Sequence, residues 1–161
     1  MATIDTTVLR DAVLALLQEA YVGPENPEMP WFADNAPETG VLGTLSEVSA
    51  AQASTPLGTD DATIAAHTAH LRFALSLANR AYRGENPYPD ADWDTSWTTR
   101  SVTEAEWNRL RAELRSQYDQ LREALAQELP WDAPMVLPGT LGQIAHGAWH
   151  LGAIRTLLEM L

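Results

Sequence analysis

Ten prolines punctuate this chain, at Pro24 to Pro37, at Pro56, at Pro87 and Pro89, and at Pro130 to Pro138. Each lacks a backbone donor and resists continuation of a helix. Between the clusters lie four long stretches whose apolar residues recur at three- and four-residue spacing, the period of a helix buried on one side. The first, residues 4–22, carries Val8, Leu9, Ala12, Val13, Leu16, Leu17 and Ala20 and can be capped by Asp5, Thr6 or Thr7. Gly23-Pro24 stops it. The second runs over 60–83, opened by Thr59-Asp60-Asp61, with Ile64, His67, His70, Leu71, Ala74, Leu75, Leu77 and Ala78 inward and Gly84 at its end. The third opens on Thr103-Glu-Ala-Glu106, a capping box, and continues through Trp107, Leu110, Leu114, Tyr118, Leu121 and Leu125. The fourth spans 140–160, with Thr140-Leu-Gly-Gln143 as its cap. No segment alternates with the period of a strand. The expectation is an all-α four-helix bundle with long, proline-rich loops, and 161 residues fit one domain, 1–161.

The connections carry aromatic residues. Trp31 and Phe32 are expected to anchor the loop 23–43, and Trp131 the loop 130–139. A short helix is expected from a capping box at Thr44-Leu-Ser-Glu47 to about Ala53, before Pro56 and Gly58. Tyr88, Trp93 and Trp97 lie in the loop 85–102; Trp93 and Trp97, like Trp31, can shape the mouth of a pocket, though core or loop anchoring is the expected role of most of the tryptophans. On the third helix Arg109/Glu113 and Arg115/Asp119 are pairs at i,i+4 on the wet face, each worth a few tenths of a kcal/mol.

Charge and composition narrow the chemistry. Twenty-two acids against ten bases give a net charge of −12, the opposite of what a nucleic-acid surface or an anionic membrane attracts. All ten bases are arginine, so no lysine can form a Schiff base. There is no cysteine, which removes thiol nucleophiles, disulfides and thiolate metal ligands. A metal could be held only by histidine, carboxylate and water. The N-terminus lacks the pattern of a signal peptide and no apolar run spans a bilayer, so a cytoplasmic location is expected. Phosphate-loop, dinucleotide and nucleophile-elbow motifs are absent.

The four histidines remain. His146 and His150 stand four apart on the fourth helix, hence on one face, and can reach one ion. Burying two imidazoles among Ala, Gly, Leu and Ile demands polar partners that this helix scarcely supplies, and a metal would provide them. His70 of the second helix is the preferred third ligand. His67 competes for that place, being three residues away on a similar face, or serves beside the ligands or against substrate. A buried histidine more often plays a packing role when it stands alone than when three or four can converge. Three imidazoles leave coordination positions open, as in catalytic rather than structural sites. Neutral imidazole suits zinc, nickel and iron, so ligand type alone does not choose between them; zinc or nickel is the expected ion, with iron or manganese as alternatives. Trp149, between the two histidines, is expected to point away from them and pack.

His67-Thr-Ala-His70-Leu-Arg-Phe, and above all Ala145-His146-Gly-Ala-Trp-His150-Leu-Gly-Ala-Ile-Arg155, resemble the DinB-like family. Glu85-Asn-Pro-Tyr-Pro-Asp-Ala-Asp-Trp93 and Val102-Thr-Glu-Ala-Glu-Trp107 are similar to it as well. The resemblance implies a four-helix bundle, a homodimer, and a divalent metal held at the positions of His70, His146 and His150; His67 matches no fixed ligand position. It further implies a metal-dependent enzyme acting on a small molecule, a transferase or isomerase using a low-molecular-weight thiol first and a hydrolase second. The alternative is a non-catalytic dimeric binding or stress-response bundle whose site is weakly occupied or empty.

Overall fold

The computed structural model describes residues 5–57 and 63–161. The expected helix start at Ile4, the break at Gly58 and the cap Thr59-Asp60-Asp61 lie outside them. Six α-helices and one 3-10 turn are the regular elements among the described residues: α1 Thr6–Tyr21, α2 Val41–Ser46, α3 Ala50–Ala53, α4 Ile64–Tyr82, the 3-10 turn Thr95–Trp97, α5 Glu104–Leu125 and α6 Val136–Glu159. The chain is all-α, and none of these helices is long and apolar enough to cross a membrane.

Of the four long helices, α4 lies deepest. Its residues from Ile64 to Leu71 are all buried, because α5, α6, α3 and the 3-10 turn surround it. Ala65, Ala66 and Ala69 keep that surface thin enough for neighbours on several sides. The Thr63 hydroxyl caps it, accepting from Ala66 N at 3.1 Å. On α5 the expected stripe is the buried one, Trp107 through Leu125, and Thr103 and Glu106 form the capping box. Its outer pairs differ from expectation: Glu113 faces Arg72 of α4 at 3.8 Å instead of Arg109. The cost of burying a large indole donor is offset by the Trp107 Nε1–H, which bonds the Val48 carbonyl at 2.6 Å and ties α5 to the α2–α3 corner. Arg111 adds bonds to the carbonyls of Leu45 and Ser46 at the end of α2.

Three local expectations are corrected. The short helical region is two elements, and its capping box is Ser49 with Gln52 at the start of α3 rather than Thr44 with Glu47. α6 begins at Val136, because Pro138 sits in the first turn, where no intrahelical partner awaits its missing N–H. Thr140 therefore does not cap; its hydroxyl bonds the Val136 carbonyl at 2.7 Å and the Tyr82 hydroxyl. Finally, Trp31 and Phe32 do not anchor the first loop, being 74% and 41% exposed. Glu19 does so. Its Oε1, on the buried face of α1, accepts the backbone N–H groups of Trp31, Phe32 and Ala33 at 2.7, 2.6 and 2.8 Å. Trp131 is buried as expected.

Gly147 decides how close α1 and α6 come. A Cβ there would lie 2.7 Å from Cε2 of the fully buried Tyr21. The glycine between His146 and His150 thus lets a tyrosine ring press against the helix backbone.

A candidate metal centre of histidines

Along α4 from His67 to Tyr82, contacts on α6 run back from His150 to Thr140, so the two helices are antiparallel neighbours. That pairing brings all four histidines together. His150 is fully buried, His67 and His70 are 6% exposed, and His146 is half-buried at the edge. Ligand atoms of His70, His146 and His150 all lie within 4.8 Å of one another. The Nε2 atoms of His146 and His150 are 3.0 Å apart. Nitrogens bound at ~2.0–2.1 Å to a tetrahedral zinc stand about 3.4 Å from each other, so the group needs only small ring movements to share an ion. Among the described residues no carboxylate joins the three.

The fourth histidine falls elsewhere in the geometry. His67 Nδ1 lies 3.0 Å from the other nitrogen of His150, its Nδ1, on the side away from His146. His70 is held comparably. Its Nδ1 meets the Ser96 hydroxyl at 2.7 Å, and Ser96 donates its own proton to the Trp93 carbonyl. Ser96 must then accept from His70 Nδ1–H, which leaves the lone pair of His70 on Nε2. Ser96 belongs to the 3-10 turn, which Asp92 shapes by accepting from Thr95 N and Oγ1 at 2.9 and 2.6 Å. The residue was not singled out in the sequence. The only local signal was the Asp-x-x-Thr spacing of that turn, which marks a turn but no contact across the fold.

The tryptophans wall the site. Trp97 stacks on His70 with ring centroids 4.1 Å apart and meets His67 edge-on at 5.2 Å. Trp93 lies 5.9 Å from His70. Trp149 corrects an expectation: it is 59% exposed rather than packed, and its ring stands 4.8 Å from that of His150 and 5.9 Å from that of His67. Its position beside His150 on α6 puts it at the flank of the cluster. No contact places Trp31 there.

Burial governs the protonation of the cluster. Desolvation, with smaller repulsion from the neighbouring imidazoles, pushes His150 down to about 2 and His70 down to about 4. Desolvation lowers His67 and His146 as well. Near neutral pH all four rings are uncharged and their lone pairs are available to a cation. The donors are neutral and convergent, and His70 and His150 are buried and held by partners behind them, a set that fits a divalent ion.

One helical turn before His146, Gln143 lines an apolar cavity of about 360 Å³ between α4 and α6, with Ala78, Tyr82, Val136 and Gly139. Gln143 Oε1 is buried there without a hydrogen-bond partner.

A family model described as the DinB superfamily matches residues 38–153, about seven-tenths of the chain and the whole of the histidine cluster. No curated protein and no solved structure matches the chain.

Proposed function

The chain belongs to the DinB superfamily, and from that premise we propose a divalent-metal-binding protein whose ligands are His70, His146 and His150 through their Nε2 atoms. The arrangement of α1, α4, α5 and α6 is read as the family's four-helix bundle. The observation that carries the proposal is the convergence of three uncharged imidazoles from two separate helices. Their mutual hydrogen bonds do not argue for an inert core. No backbone group takes up the cluster's lone pairs among the described residues, and the Nε2 contact between His146 and His150 is one that a cation would replace.

The same donor set is compatible with the metal-dependent chemistry that the family resemblance implies. A divalent ion, zinc or nickel first, supplies Lewis acidity that lowers the pKa of a low-molecular-weight thiol or of water. Three neutral ligands would leave the ion's charge uncompensated and favour an anionic fourth partner, thiolate or hydroxide alike; the family resemblance, not the charge, puts thiol-dependent transfer or isomerisation ahead of hydrolysis. The protein's own residues orient and enclose. Trp93, Trp97 and Trp149 narrow the approach and exclude water. The cavity at Gln143, one turn before His146, receives the apolar body of a small substrate.

Elemental analysis of protein prepared without an affinity tag tests the reading. Wild type is expected to carry close to one ion per chain, and His150→Ala little. Equal, near-zero contents in both would leave the cluster a packing feature and favour the non-catalytic alternative.

A further inference from the structure

We infer that His67 is a positioning residue: by accepting the Nδ1–H of His150, it obliges His150 to keep its lone pair on Nε2, toward His146 and His70. The inference rests on the metal-binding reading above and assigns the one histidine which that reading does not use. His150 is fully buried, and both its ring nitrogens are engaged, Nε2 with His146 and Nδ1 with His67, each at 3.0 Å. A neutral imidazole has one N–H and one lone pair, so His150 donates in one contact and accepts in the other. With the proton on Nε2, it would aim a donor at the point the ligands must share. With the proton on Nδ1, it aims the lone pair there, and the buried N–H needs an acceptor where no water reaches. His67 Nδ1 is that acceptor.

The neighbours fix His67 in this role. Trp97 meets it edge-on at 5.2 Å and Trp149 lies at 5.9 Å, so its ring is confined on two sides. Ser96 does the corresponding work behind His70. Both deeply buried ligands thus have their tautomer set from behind. Among the described residues His146 has no such partner, and its ring is half-exposed. To present three Nε2 lone pairs to one point, only His146 has to exchange a proton, losing one from Nε2 to water and gaining one at Nδ1 from water.

The test uses the full chain and three forms: wild type, His67→Asn, whose amide oxygen can replace the Nδ1 acceptor, and His67→Leu, which cannot accept. Long-range proton–nitrogen correlation spectra of the metal-free proteins are expected to show His150 protonated at Nδ1 in wild type and His67→Asn, with the Nε2–H form appearing in His67→Leu. In competition with a chromophoric chelator, zinc affinity is expected to fall about 10–100-fold in His67→Leu and to stay within about threefold of wild type in His67→Asn. Cobalt(II) bound to His67→Asn is expected to keep the wild-type d–d bands. An Nε2–H His150 in wild type overturns the inference. So does an Asn variant as weak as the Leu variant, or cobalt bands that report a lost nitrogen ligand, which would make His67 a ligand itself. If His67→Leu does not fold by circular dichroism, the other two forms still decide. If wild type binds no zinc, the metal-binding reading fails separately, and the spectrum of the metal-free protein alone decides the role of His67.

Discussion

At the scale of single residues, the cluster makes its own tests. Ser96→Ala removes the acceptor behind His70 Nδ1 while leaving the exposed side of the 3-10 turn intact. Zinc affinity is expected to weaken by about 10–100-fold, and Ser96→Thr, which keeps the hydroxyl, to recover most of it. Unchanged affinity in Ser96→Ala would show that the ring is held by the Trp97 stack alone. Protonation gives a second test. Unfolded imidazoles titrate near 6.5, while in the folded chain His70 resists protonation down to about 4 and His150 down to about 2. Because the folded values are depressed, the unfolded chain binds more protons below 6.5, and the stability these groups contribute is complete above that pH and declines as pH falls toward 4. Thermal melts of metal-free protein are expected to show Tm falling from about pH 7 to about pH 4.5, with a smaller fall in His150→Gln, which has one imidazole fewer to protonate on unfolding. The same slope in both proteins would mean that His150 is solvated. The sequence offered His70, His146 and His150 as a group because i,i+4 spacing on one buried helix, joined to a second histidine-bearing helix, leaves few ways for the rings to point. It could not offer Ser96, whose partner is 26 residues away, and it misplaced Trp149, since helical spacing gives a direction around the axis but not what covers it.

Elements were legible in proportion to how much of their stability is local. α5 combines a capping box, a charged outer face and an apolar stripe, and each of those signals lies within the helix itself. α6 starts earlier than the proline and glycine at its head imply, because a first-turn proline costs nothing there. The first loop was legible only as a break, since what pins it is one carboxylate on α1. Glu19→Ala strands the three N–H groups of Trp31, Phe32 and Ala33, and is expected to cost about 2–4 kcal/mol in urea melts. A change under about 0.5 kcal/mol would mean that water replaces the carboxylate, as at ordinary surface positions. At the contact of α1 with α6, Gly147→Val sets new methyl groups against the buried Tyr21 ring and is expected to cost about 1–3 kcal/mol by overpacking. Because the same turn carries His146 and His150, zinc affinity should fall with it, whereas Glu19→Ala, remote from the cluster, should leave zinc affinity nearly unchanged. Loss of zinc affinity in both would show that the helices do not hold the site independently.

For the molecule as a whole, the surface of α6 presents the open question of assembly. From Val136 to Leu158 this helix contains one charged residue, Arg155, and Arg155 is turned toward the first loop, bonding the Thr39 carbonyl at 2.6 Å and Asp34 at 3.0 Å. Its outer side therefore shows Leu141, Ala145, Trp149 and Gly152 to solvent without a charge among them, and Leu141 and Trp149 are 46% and 59% exposed. A chain of net charge −12 has acids to spare for solubility, so an uncharged strip on its most apolar helix is a natural place for a second copy. Small residues on either side of Trp149 would let two such helices approach closely, and the indole, already beside His150, would then close the mouth of the cluster from the interface. Light scattering is expected to give about twice the chain mass of 17.7 kDa for wild type, and close to the single mass for Ala145→Glu, which would bury an unpaired charge in that interface. The two measurements belong together with zinc affinity: if the dimer encloses the site, Ala145→Glu should bind zinc but release it faster, since Trp149 would no longer be held over it. A wild-type monomer sinks the idea outright, and a dimer that Ala145→Glu leaves intact would move the interface to another face of the molecule.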